Sequence, residues 1–269
     1  MCLALIIYNA GQQLYVAHNR DELLERPTES LHYWDNSKVL GPRDLASGGT
    51  WLGIHSDTRR MAFVTNVVQY NEPPKDTSRG NLVVDFINSK LSSADFCNTV
   101  LRPKRHDYSG YNIVCWDGIH LVLYCNIRDD FAQVLPTGIY VVSNDSSFFL
   151  DSSWYRIQRA RDQLVHVSQN STASSMLHSM LEILRDDSLP DAQSVELPNT
   201  GYGPDFESKC LSMSIKMFTN PDGKYFGTRS RIAMALCTED SSCIYEEYLH
   251  PDTREWIKQT IHLPSKLPS

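Results

Sequence analysis

A cysteine at position 2 and the run Asn19-Arg20-Asp21-Glu22 are the residues of this chain best suited to chemistry. Removal of the initiator Met1, which a side chain as small as Cys permits, leaves the Cys2 thiol beside a free α-amino group. An α-amine titrates near pH ~8 and a free thiol near ~8.5, so the amine can accept the thiol proton near neutrality, as in the N-terminal Thr nucleophiles. Arg20 would favour the thiolate, and Asp21 would hold the amine by a charge-assisted hydrogen bond. The plain alternative is a chance cysteine ahead of a solvated loop or helix start. Seven cysteines in 269 residues put one at any given position about once in forty, so position alone assigns no nucleophile.

The element that must bring these stretches together is a hairpin. Leu3 to Tyr8 and Leu14 to Ala17 are short apolar runs joined by Asn9-Ala10-Gly11-Gln12-Gln13. Partners in an antiparallel pair sum to a constant. A turn centred anywhere from between Ala10 and Gly11 to Gln12 therefore sets Cys2 opposite a residue between Asn19 and Glu22.

Further along, Arg26 to Tyr33 reads as irregular, and Gly48-Gly49-Thr50-Trp51-Leu52-Gly53-Ile54 as a glycine turn with a core Trp entering a strand. Met61 to Asn66 reads as a strand ending on polar Thr65-Asn66. After a loop with Pro73-Pro74, Thr77 or Ser78 caps a helix with Leu82, Val83, Phe86 and Ile87 on one face. A short helix over Asp95 to Leu101 is expected to stop at Pro103. Asn112 to Trp116 and Leu121 to Cys125, around Asp117-Gly118, form a second hairpin, and Ile139 to Ser143 is a strand ending at Asn144. Ser153 to Val167 and Ser174 to Arg185 read as layer helices, and Asp186 to Lys209 as one long loop, a functional cover or disordered. Strands over Tyr225 to Cys237 and Cys243 to Leu249 follow. Arg229 and Arg231 would share a strand face by period two, so one of them should meet an acid or an anionic ligand. Strands at both ends with helices between them predict a single α+β domain over residues 1–269.

Composition narrows the classes. Hydrophobic content of 41% supports a substantial core, while a net charge of -7 with no basic run longer than Arg59-Arg60 argues against a nucleic-acid partner. Leu3 to Tyr8 is too short, and lacks the basic flank, for a signal peptide, and no stretch approaches the roughly 18 apolar residues of a transmembrane helix. Scattered cysteines without a Cys-x-x-Cys pair argue against a disulfide framework or a structural zinc. Ser265-Lys266-Leu267 is followed by two more residues and so is no peroxisomal address. A reduced, cytoplasmic protein is expected.

Met1-Cys2, Asn19-Arg20-Asp21-Glu22, Gly48-Gly49-Thr50-Trp51-Leu52-Gly53, Thr65-Asn66, Ser78-Arg79-Gly80, Tyr111-Asn112, Ser143-Asn144 and Gly227-Thr228-Arg229 occur in the order seen in the NRDE family, also called the transport and Golgi organisation 2 family. The chain resembles that family over most of its length. The resemblance implies an N-terminal-nucleophile hydrolase-like fold, a four-layer αββα sandwich of two antiparallel sheets. The same fold carries the choloylglycine hydrolases and penicillin V acylases. By motif match it implies Cys2 as nucleophile, Asp21 as amine partner, Asn66 and Asn144 as oxyanion or positioning groups, and Arg229 as the charge that holds the amine and Asp geometry. Those hydrolases place an Arg three residues before the Asp, where this chain has His18.

The resemblance also implies a function less like hydrolysis than carriage: haem moved out of haem-rich organelles, or a role in lipid and acyl-CoA homeostasis. Asn19, Arg20 and Glu22 become candidate ligand-binding residues. Arg20 and Arg229 become candidates for the haem propionates. No cofactor is obligate on this reading, haem being cargo; the residues themselves carry no Cys-x-x-Cys-His or other haem signature. The expected partner is a small molecule, haem or acyl-CoA, with transient organelle-membrane contact and a mitochondrial association. The competing expectation is a Cys2-dependent hydrolase of amides or acyl thioesters.

Overall fold

The computed structural model describes residues 1–11, 13–67, 73, 75–128, 132–146, 152–167, 172–191, 194–236 and 242–263. Ser265-Lys266-Leu267, Gln12, Pro74 and the Cys237 end of its expected strand lie outside the described residues. In chain order come β1 (Cys2–Asn9), β2 (Gln13–Leu23), β3 (Thr28–Tyr33), β4 (Val39–Asp44), β5 (Leu52–His55) and β6 (Met61–Asn66), then helix α1 (Gly80–Asn88). Helix α2 (Ser93–Phe96) runs into a π turn over Cys97–Leu101 and a 3-10 turn over Arg102–Asp107. Next are β7 (Tyr111–Trp116), β8 (Leu121–Cys125), β9 (Gln133–Leu135) and β10 (Gly138–Val142), and helices α3 (Tyr155–Val165), α4 (Ala173–Arg185) and α5 (Pro204–Lys209). Strands β11 (Phe218–Thr219), β12 (Tyr225–Leu236), β13 (Cys243–Leu249) and β14 (Trp256–His262) follow. The chain is α+β with two antiparallel sheets, and it forms two compact units: Met1–Glu25 with the described residues from Gly138 on, and Arg26–Thr137.

The first unit is built on a sheet of order β10-β1-β2-β12-β13-β14, with β11 on the edge of β12. Alternate residues of its central strands, Leu3, Leu5 and Ile7, Tyr15 and Ala17, Ala233 and Ala235, turn to one face. Against them α3 sets Ile157, Ala160 and Leu164, and α4 sets Met176, Leu177, Met180 and Leu184, each series repeating at three or four residues. Burying a Leu, Ile or Met side chain contributes about 1.5–3 kcal/mol. This face therefore fixes β1 and β2 firmly beneath the helices, and with them Cys2 and Asp21. Gly11 closes the hairpin at φ 74°, a value that glycine adopts without the Cβ clash other residues meet.

The second unit is a meander of order β3-β4-β5-β6-β7-β8-β9. Helix α1 buries Leu82, Val83, Phe86 and Ile87, the face the sequence predicts. Its start lies against the glycine turn. A Cβ on Gly49 would fall 2.5 Å from the Gly80 carbonyl carbon, and one on Gly80 would fall 2.9 Å from the Thr50 nitrogen. Two sequence motifs, Gly48-Gly49-Thr50-Trp51 and Ser78-Arg79-Gly80, are thus two backbones in contact, and Thr50 N–H donates to the Gly80 carbonyl.

Four expectations are corrected. The stretch after Arg26 is not irregular: Thr28–Tyr33 is β3, paired with β4. Pro103 does not stop the helix, because proline is tolerated at the first turn of a new helical segment and here opens the 3-10 turn. The long segment from Asp186 to Lys209 ends in α5, whose Phe206 is buried with Cys210, Ile215 and Phe226. Helix α1 begins at Gly80 with Arg79 in the cap position and no side-chain cap, although Ser78 Oγ accepts from Gly80 N–H at 3.3 Å. Among the described residues, no helix is long and apolar enough to cross a membrane.

Candidate functional site

The β1–β2 register sets Cys2 against Arg20, inside the window the hairpin arithmetic allows. Pairing continues to the first residue: Asp21 N–H donates to the Met1 carbonyl at 2.7 Å, and the Met1 ammonium donates to the Asp21 carbonyl at 2.6 Å. On the other side β10 completes the cradle. Cys2 N–H donates to Asn144 Oδ1 at 2.8 Å, and Ser143 Oγ donates to the Cys2 carbonyl at 2.7 Å. Asn144 can reach because the β1–β10 register, Ala4 against Val142, carries Asn144 to the level of Cys2.

Directly opposed residues share a sheet face and neighbours alternate. Cys2, Arg20 and His18 therefore occupy one face, and Asn19 and Asp21 the other. The Asp21 carboxylate is fully buried and accepts from Arg156 Nη2 at 2.7 Å and Thr228 Oγ1 at 2.6 Å. Arg156 Nη2 also donates to the Met213 carbonyl at 2.7 Å. Asn19 Nδ2 donates to the carbonyls of Leu184 and Met213, both at 2.9 Å, tying β2 to the end of α4 and to the chain beyond it. Glu22 accepts from the Leu23 N–H at 2.8 Å.

Burial pushes the Cys2 thiol above its ordinary pKa; the N-terminal ammonium opposes this, Asp21 adds to it, and the Asp21 N–H and Arg20 oppose it without reversing it. The thiol is therefore protonated at neutral pH in the Met1-bearing chain. His18 is pushed down to about 3 by burial first, then by Arg20, Arg156 and the N-terminal ammonium. His18 is therefore a neutral imidazole at neutral pH.

Arg229 and Arg231 do not follow period two. The β2–β12 register shifts between Thr228, opposite Asp21, and Ser230, opposite Arg20, so Arg229 sits in a bulge. Arg229 Nη1 donates to the Leu23 carbonyl at 2.9 Å. Arg231 meets the expected acid, Glu247, at 3.2 Å, donates to Ser214 Oγ at 2.7 Å and lies 3.9 Å from the Trp256 ring. Glu247 also pairs with Arg185 and Lys258. Burial opposes its ionisation, but Arg185 first, then Lys258 and Arg231, hold its pKa down at about 2.

Cys2, Asn19, Arg20, Asp21, Glu22, Asn144 and Arg229 all belong to the first unit. Asn66 is the last residue of β6, opposite Tyr111 in the second unit, and its assignment rests on its motif. Sequence reasoning missed Arg156, the partner of Asp21. The signal was available: on α3 it continues the buried stripe of Ala160 and Leu164 at four-residue steps, where an arginine has to be explained. No group of three or more His, Cys, Asp or Glu able to hold a metal occurs among the described residues. The described cysteines, Cys2, Cys97, Cys115, Cys125, Cys210 and Cys243, are all buried.

The Transport and Golgi organisation 2 family model matches residues 1–251. The chain is 27% identical over 263 residues to the Transport and Golgi organization 2 homolog of Mus musculus, covering 92% of this chain and 91% of the relative. Identity to the Homo sapiens homolog is 28% over 262 residues, with the same coverage. Among solved structures, a Caenorhabditis elegans N-acylethanolamine-hydrolyzing acid amidase ortholog aligns with 66% of this chain and 85% of its own, at 13% identity and a TM-score of 0.39.

Proposed function

The chain belongs to the Transport and Golgi organisation 2 family, and from that premise we propose that it is a cytosolic carrier of an apolar, anionic small molecule, with haem leaving haem-rich organelles as the cargo. What supports carriage over catalysis is the commitment of the groups around Cys2. The Cys2 nitrogen is an amide held by Asn144, the thiol is kept protonated by burial, and the Asp21 carboxylate faces away from it toward Arg156 and Thr228. A nucleophile needs a base within reach, and those contacts provide none while Met1 is in place. In this reading the whole chain acts as one domain, Arg20 and Arg229 offer charge to the propionates, Asn19 and Glu22 shape their surroundings, and contact with organelle membranes, mitochondrial ones included, is transient. Acyl-CoA is the alternative cargo and would connect the protein to lipid homeostasis.

One observation favours the second reading, a hydrolase of amides or acyl thioesters. If Met1 is removed, Asn144 Oδ1 is already positioned to hold the new Cys2 amine beside the thiol. Asn144 would then position the oxyanion, and Arg229 the amine and Asp21. The two readings separate on titration of haemin, followed by its absorbance, with palmitoyl-CoA hydrolysis measured in parallel. A carrier keeps binding in Cys2→Ala and loses about 1.5–3 kcal/mol of it in Arg229→Ala. Failure of the parent to bind either ligand, or hydrolysis that vanishes in Cys2→Ala, overturns the carrier reading.

A further inference from the structure

Arg156 is buried on α3, with only Nη2 engaged by Asp21 and Met213; its Nε and Nη1 have no hydrogen-bond partner. A buried, unmet donor is costly, more so on a charged group, and native proteins rarely leave two together. Arg156 lines a pocket with Met1, Trp154, Pro198, Cys210 and Leu211. The pocket has room for about one water molecule. Met1 forms one of its walls and also packs against the cluster of Phe206, Cys210, Ile215 and Phe226.

We infer that Met1 is a plug, and that its removal opens a site for a carboxylate carried on an apolar body, with Arg156 as the buried cation. Methionine aminopeptidase hydrolysis of the Met1–Cys2 peptide bond consumes one water, releases free methionine with the new carboxylate, and leaves an α-ammonium on Cys2. The Asp21 N–H, which held the Met1 carbonyl at 2.7 Å, is then an open donor. The ligand carboxylate takes that donor and the Arg156 guanidinium, and its apolar part takes the room of the Met1 side chain against Phe206 and Cys210. A fatty acid and a haem propionate share this chemistry. The inference rests on the anionic, apolar cargo proposed above and adds where its carboxylate docks.

The test compares two forms of the full chain by calorimetric titration with decanoate and with haemin. One form is released from a fusion so that Cys2 is first; the other retains Met1, and intact mass verifies both. Decanoate binds the Cys2-first form at least about 10-fold more tightly, and Arg156→Gln in that form weakens it by about 10- to 100-fold. Cys210→Leu, which adds bulk to the pocket wall without touching a polar group, weakens it too and serves if Arg156→Gln does not fold. Haemin following the same pattern makes a propionate the natural carboxylate; decanoate alone following it makes that a fatty acid. Equal affinity of the two forms for both ligands overturns the plug. Haemin binding that ignores both Met1 and Arg156, with no decanoate binding, also overturns it but leaves the carrier standing, whereas no binding to either form removes both.

Discussion

Asp21→Asn is the sharpest probe of what holds the N-terminal strands in register. The carboxylate accepts from Arg156 at 2.7 Å and from Thr228 at 2.6 Å, and the paired side chains are 0% and 4% exposed. An amide keeps an acceptor for Thr228 but leaves Arg156 a buried guanidinium without its counter-charge. Removing one partner of a buried ion pair costs about 3–5 kcal/mol. At about 2–3 °C per kcal/mol for a chain of this size, Asp21→Asn lowers Tm by roughly 6–15 °C. Asp21→Leu with Arg156→Met removes both charges together and is expected within about 2 kcal/mol of the parent. Thermal unfolding by circular dichroism of the parent, Asp21→Leu, Arg156→Met and the double variant closes the cycle. A Tm loss below about 2 °C in Asp21→Asn, or a double variant as unstable as its two singles summed, refutes the pairing as a source of stability.

Two pH windows follow from the buried titrating groups. The His18 pKa is lower folded than unfolded, so its contribution is complete above about pH 6.5 and is lost as pH falls toward about 3, at up to about 1.4 kcal/mol per pH unit. Urea unfolding between pH 7 and 5 should show that slope in the parent and a flatter one in His18→Gln; equal slopes would contradict it. Glu247, also depressed on folding, contributes above about pH 4.5 and loses its contribution as pH falls toward about 2, so Glu247→Gln flattens the curve only in that lower window. Gly80→Ala forces a Cβ to 2.9 Å from the Thr50 nitrogen and should destabilise the second unit by about 1–3 kcal/mol; hydrogen exchange in α1 and β5 unchanged from the parent would show that the contact yields freely.

The hairpin was legible because its register depends only on where the turn lies, and a two-residue uncertainty in the turn still left Cys2 facing the Asn19–Glu22 run. Strands buried on an apolar face, such as Met61–Asn66 and Cys243–Leu249, were legible for the same reason of pattern. Those missed carry little apolar signal. In β3 only Leu31 is buried, β4 contains Gly41 and Pro42, and β14 alternates between exposed and half-buried residues at a sheet edge. Helix α5 is six residues in a polar stretch, too short for a period to show. At the site, residue types were readable but directions were not: the bulge at Arg229 breaks the alternation that would have put it beside Arg231, and no local pattern reveals a bulge. The pairing of Asp21 with Arg156 spans 135 residues, so only an arginine on an apolar stripe hinted at it.

Turnover by Cys2-first protein tests the carrier most directly, because that form gives Cys2 its amine and removes the constraint that Met1 imposes. Protein verified by intact mass is incubated with palmitoyl-CoA, free CoA thiol is followed with time, and haemin is titrated on the same preparation. The account predicts saturable haemin binding and no thiol release beyond that of Cys2→Ala. Sustained thiol release that Cys2→Ala abolishes, with haemin unbound, would contradict it and make the N-terminal cysteine a catalytic nucleophile.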